Sequence, residues 1–201
     1  VDNAADYFMK AIKLNPNHYN SFNALGEIAR EKGNLDEAVN KFKKAIKIKP
    51  DFAGAYNNMG ATFMAQGKLD EADKAIKVAI KIAPTMSEAY NNLGINKQIK
   101  GDLRNSVYYY KKGLELKKES NEMWGNIIFV LRALKRTDEQ FYNIAMNFDN
   151  QDTSELVQLN KGIIDYDLNF GCIGAEKSLN DAISLMSSAK DRVIFNPSND
   201  N

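Results

Sequence analysis

The chain has 201 residues, 44% hydrophobic and 26% charged, with a net charge of +1, which excludes a disordered polyelectrolyte and leaves room for a sizeable core. No signal peptide or membrane span is visible, because the most apolar run, residues 127–134, is short and broken by Arg132. A single cysteine, Cys172, excludes an internal disulfide and favours a reducing, cytoplasmic setting.

In chain order, Ala4, Phe8, Ala11 and Pro16 lie three to five residues apart and predict a first helix over residues 3–14. The same set returns 34 residues later as Ala38, Phe42, Ala45 and Pro50, and again as Ala72, Ile76, Ala79 and Pro84. A second set precedes it in each unit: Phe22, Leu25 and Gly26, then Tyr56, Met59 and Gly60, then Tyr90, Leu93 and Gly94. Each 34-residue unit therefore predicts two amphipathic helices. Gly33, Gly67 and Gly101 mark the turn between them, and Pro50 and Pro84 stop the second helix. The small residues Gly26 with Ala45, and Gly60 with Ala79, are expected where paired helices approach most closely.

The pattern divides the chain into a lone second helix at 1–18, full units at 19–52, 53–86 and 87–120, and a degenerate unit at 121–154. In the third unit Lys97 replaces an aromatic and Lys118 replaces the proline. The fourth keeps Trp124, Ile127 and Leu131 but has Ile128 where glycine is expected. Residues 155–190 are expected to form capping helices, at about 154–168 and 174–189, and residues 191–201 a tail or linker. The truncated start reads as a fragment or processed chain of a longer repeat protein. Its uncovered apolar face, centred on Phe8, predicts self-association.

The series Phe22-Leu25-Gly26-Ala38-Phe42-Ala45-Pro50 and its successor from Tyr56 to Pro84 resemble the tetratricopeptide repeat family, in a bacterial-type array, over residues 4–118. The resemblance implies an all-α fold: a right-handed solenoid of antiparallel helix pairs with a C-terminal cap. It also implies that the first helices line a concave groove. On that reading the groove holds Asn23, Glu27 and Arg30, then Asn57, Asn58, Ala61, Met64 and Ala65. The third unit adds Asn91, Asn92, Ile95, Gln98 and Ile99, and the fourth Asn126, Phe129 and Arg132. Asn58, Asn92 and Asn126 stand 34 apart, like the asparagine ladders in the repeat arrays of O-linked N-acetylglucosamine transferases. A carboxamide both donates and accepts, so such a ladder suits an extended peptide backbone. It suits a bridge between neighbouring helices equally well. The cations of the chaperone-binding branch of the family are missing from the matching positions.

Residues 1–136 carry 23 Lys+Arg against 15 Asp+Glu (+8), and residues 137–201 carry 4 against 11 (−7). The lysines crowd second helices, as in Lys43, Lys44, Lys47 and Lys49, which disfavours nucleic-acid binding through the groove. No catalytic, metal or cofactor constellation is expected. His18 is the sole histidine, Cys172 has no base beside it, and Asp165 and Asp167 point to different sides of a helix. The function implied is a non-catalytic protein-interaction scaffold holding a peptide or partner protein. The alternative is a substrate-recruiting arm of a larger enzyme such as a sulfotransferase or glycosyltransferase.

Overall fold

A computed structural model describes residues 2–118 and 120–137 of the chain. Among the described residues there are eight α-helices and no strand. They are α1 (Asp2–Leu14), α2 (Tyr19–Glu31), α3 (Leu35–Ile48), α4 (Ala53–Ala65), α5 (Leu69–Ile82), α6 (Ser87–Ile99), α7 (Leu103–Leu116) and α8 (Asn121–Thr137). The chain divides into two compact units, residues 1–130 and 131–201, and of the second only the end of α8 is described. The second half of the degenerate repeat at 138–154, the capping helices of 155–190 and the tail of 191–201 lie outside the described residues.

Two local devices set the helix lengths. Gly33, Gly67 and Gly101 adopt φ of +79°, +72° and +76°, where a side chain would be strained. Each lets the next residue turn back onto the helix just ended: the N–H groups of Asn34, Lys68 and Asp102 donate to the carbonyls of Ala29, Phe63 and Lys97 at 2.8–2.9 Å. The second helices stop at Ile48 and Ile82, two residues before Pro50 and Pro84. α7 stops in the same register although Lys118 stands in the proline position, because Lys117 turns extended at φ −142°. Proline enforces this boundary without being its only cause.

α2 pairs with α3, α4 with α5 and α6 with α7, and the antiparallel pairs stack in chain order as the predicted solenoid class requires. Within each pair a glycine forms a hollow. A Cβ on Gly26 would lie 2.6 Å from the Phe42 ring, one on Gly94 2.5 Å from the Tyr110 ring, and one on Gly60 closer still to Ile76. The glycines thus sit at close approaches of the paired helices, and the side chain each faces is the large residue of the second helix. The physical reason is volume: a missing Cβ makes space for a ring or a branched chain, whereas an alanine opposite needs none. Phe42, Ile76 and Tyr110 are fully buried as a result.

First helices also touch their successors, α2 on α4 and α4 on α6. No comparable contact joins α3 to α5 or α5 to α7 among the described residues. The stack is tighter on the first-helix side, so within the first unit α2, α4 and α6 form one continuous wall.

Candidate functional site

One turn of helix separates Asn23 from Glu27 on α2, and the Asn23 amide donates to Glu27 Oε1 at 3.0 Å. Asn58 on α4 reaches both, with Nδ2 3.2 Å from Asn23 Oδ1 and 2.5 Å from Glu27 Oε1. At the next junction Asn92 Nδ2 donates to Asn57 Oδ1 at 2.9 Å. At the third, Asn126 Nδ2 donates to Asn91 Oδ1 at 3.1 Å, while Asn91 Nδ2 donates to Glu122 Oε1 at 2.8 Å. Asn58, Asn92 and Asn126, and the line of Asn23, Asn57 and Asn91 that also recurs every 34 residues, are therefore one structure. Each rung joins residues 35 apart, one unit plus one residue.

The rungs sort the asparagines by depth. Asn57 and Asn91 are buried, and Asn23, Asn58, Asn92 and Asn126 are half-buried at the wall. Asn58 Nδ2 spends both its hydrogens on its rung, whereas Asn92 Nδ2 and Asn126 Nδ2 each spend one. The Oδ1 atoms of all three have no partner among the described residues.

Beside this line, Met64 and Ile95 are half-buried, while Ile99 and Phe129 are 56% and 62% exposed. Arg30 is half-buried on the last turn of α2. Gln98 turns away from the wall, its Oε1 accepting the Tyr110 hydroxyl at 2.7 Å. Burial pushes the Tyr110 phenol up to about 12, so it stays a donor to Gln98 throughout the neutral range. Arg132 falls in the second unit, and its side chain lies outside the described residues.

Sequence reasoning did not single out Glu122, although it is the second residue of its unit and that register faces the wall. It also read Lys97 only as a departure from the pattern. Lys97 Nζ lies 2.6 Å from Asp73, which Lys77 also contacts at 2.6 Å. Burial pushes the Asp73 carboxyl up, but hydrogen bonds and charge from Lys77 and Lys97 outweigh it and hold the group below its ordinary range. Asp73 occupies the position of Val39 and Val107, and Lys97 that of Phe63, so two off-pattern residues compensate one another. The signal was present: residues 39 and 63, like residues 73 and 97, are 24 apart.

Among the described residues no group of three or more His, Cys, Asp or Glu is placed to hold a metal ion. No described helix is long and apolar enough to cross a membrane.

Family models for the tetratricopeptide repeat match residues 7–40, 53–86 and 87–120, and one for the TPR repeat matches 26–67. The chain belongs to the tetratricopeptide repeat family. Solved repeat structures superpose on it. The first TPR of Spaghetti (RPAP3) bound to HSP90 peptide SRMEEVD is 19% identical, covering 58% of this chain and 92% of that one, with a TM-score of 0.56. MamA is 21% identical, covering 72% and 86%, at a TM-score of 0.59. The Sgt2 TPR domain from Aspergillus fumigatus is 20% identical, covering 68% and 89%, at 0.58. At these identities the likeness is one of fold. A search of curated proteins gives no match.

Proposed function

We propose that this array is a non-catalytic scaffold that holds an extended peptide segment of a partner protein along the wall of α2, α4, α6 and the start of α8. The observation that carries the reading is the row of partnerless carboxamide oxygens on Asn58, Asn92 and Asn126, set one repeat apart. Ligand main-chain N–H groups supply the donors this row lacks, which favours a strand-like chain over any one side-chain sequence. Ile99, two turns after Asn92, and Phe129, one turn after Asn126, are exposed and offer apolar footing for ligand side chains. The Spaghetti repeat structure, solved with an HSP90 peptide, supports peptide holding as a use of this fold.

A protein partner is favoured over nucleic acid. Lys77, Lys97 and Lys100 are engaged by Asp73 and Asp70, and the wall itself carries Glu27 and Glu122. A cytoplasmic setting fits the lone cysteine. The same wall would serve an array that recruits substrate for an attached catalytic domain. Self-association through α1 is part of this reading. Its exposed residues are Tyr7, Met9 and Leu14, while Phe8 is half-buried against Tyr7.

The test is selection of dodecapeptides from a random library on the full chain, followed by calorimetry on Ile99→Ala/Phe129→Ala. Both side chains are solvent-facing, so the variant keeps its melting temperature. Its affinity should fall by about 1–3 kcal/mol, the range for losing two apolar anchors. Unchanged affinity moves the site off this wall.

A further inference from the structure

The three rungs are not equivalent, and the difference lies beside them. On the first rung the Glu27 carboxylate receives both Asn23 Nδ2 and Asn58 Nδ2. On the third, Glu122 receives Asn91 Nδ2. On the middle rung the residue one turn after Asn57, where Glu27 stands after Asn23, is Ala61. No described residue accepts from Asn57 Nδ2, although Asn57 is only 8% exposed; Glu88, which stands at the middle rung where Glu122 stands at the third, lies 3.9 Å from Lys117 Nζ instead. The amide of a mostly buried residue is thus left without an acceptor at the wall, beside a half-buried alanine where the first unit has a carboxylate, and its nitrogen is not fully enclosed, so an incoming oxygen can reach it. A hydrogen bond made there adds to binding what the chain itself does not supply.

We infer that Glu27 holds, within the chain, the place that a ligand oxygen takes at Ala61. The middle rung is then the anchoring subsite: a main-chain carbonyl of the bound peptide accepts from Asn57 Nδ2 and from the second N–H of Asn92 Nδ2. The flanking rungs, already supplied with acceptors, contribute only their free Oδ1 atoms. The peptide is thereby fixed in register, one carbonyl over Ala61 with N–H groups to either side. This inference rests on the proposed peptide groove and adds where along it the ligand is locked.

The experiment converts the middle rung into a copy of the first. Ala61→Glu places a carboxylate one turn from Asn57, and Ala61→Met adds similar bulk without an acceptor. Each full chain is measured by thermal melting and by titration with an acetylated, amidated dodecapeptide selected on the parent, whose end groups exclude capture through a terminal carboxylate. Ala61→Glu is expected to melt above Ala61→Met and to bind the peptide at least about tenfold more weakly than the parent. The side-chain amide protons of Asn57 should shift in the Ala61→Glu spectrum and, in the parent, on adding peptide. The inference is overturned if the Asn57 amide is unmoved by peptide, or if Ala61→Glu binds as tightly as the parent while Ile99→Ala/Phe129→Ala does not. That second outcome leaves the groove standing and removes only its anchor. Failure of the parent to select any dodecapeptide removes both.

Discussion

The junction between the first two units and the junction between the second and third have the same backbone and different chemistry. At the first, the outer positions are apolar, Val39 and Phe63, and the wall is closed by Glu27. At the second, the outer pair is ionic, Asp73 with Lys97, and the wall is open at Ala61. Even the exposed tie at the turn changes type: Gln66 donates to Asp36 at the first junction and Lys100 to Asp70 at the second, each 30 residues apart. A repeat array fixes where a contact falls and leaves free what makes it, because each unit needs only to match its neighbour.

The comparison breaks most severely at the glycine hollows. Gly94→Ala drives a methyl into the Tyr110 ring, which cannot deform, and should cost about 1–3 kcal/mol by overpacking. Gly60→Ala meets Ile76 Cγ1, the backbone end of a fully buried β-branched side chain with one preferred helical rotamer, and should cost as much. A parent-like melting temperature for either variant would show that its hollow is not a close contact.

Next in size is the ionic pair. Lys97→Ala leaves a partly buried Asp73 with Lys77 alone and should destabilise by roughly 1–2 kcal/mol. Asp73→Val/Lys97→Phe rebuilds the apolar pair of the first junction and should recover that loss or exceed the parent, since replacing both ions removes their desolvation cost. A double variant as unstable as the single one would contradict the equivalence of the junctions.

A smaller effect separates the units by pH. A tyrosine phenol ordinarily loses its proton around pH 10, and burial raises that of folded Tyr110 to about 12. Its contribution is complete below pH 10 and lost as the pH climbs through 12. Phe42, its counterpart in the first unit, has no such group. Tyr110→Phe should therefore flatten the alkaline fall in stability between those limits, read by denaturation at a series of pH values. The least effect belongs to Lys100→Ala at the exposed turn tie, where solvent and salt screen the pair. Its melting temperature should match that of the parent.

Much of this was legible in the one-dimensional pattern. A period of 34 gives helix pairs, turn glycines and a stacked array, because a two-helix unit with one apolar face has no other way to bury it. Which residues fall on first helices could be placed from the same register. Their bonding could not. Asn23, Asn57 and Asn91 look identical in sequence to outward-facing polar residues, and only the stagger between stacked helices turns them into acceptors for Asn58, Asn92 and Asn126.

The sequence by itself determined the architecture, since periodicity in volume and polarity is local information repeated along the chain. Tertiary structure decided the partners: Gly26 with Phe42, Lys97 with Asp73, and carboxamides in diagonal rungs with one donor left open beside Ala61. Those choices depend on offsets of an ångström or two between helices that no spacing encodes, and hydrogen bonds and close packing change sign over that distance.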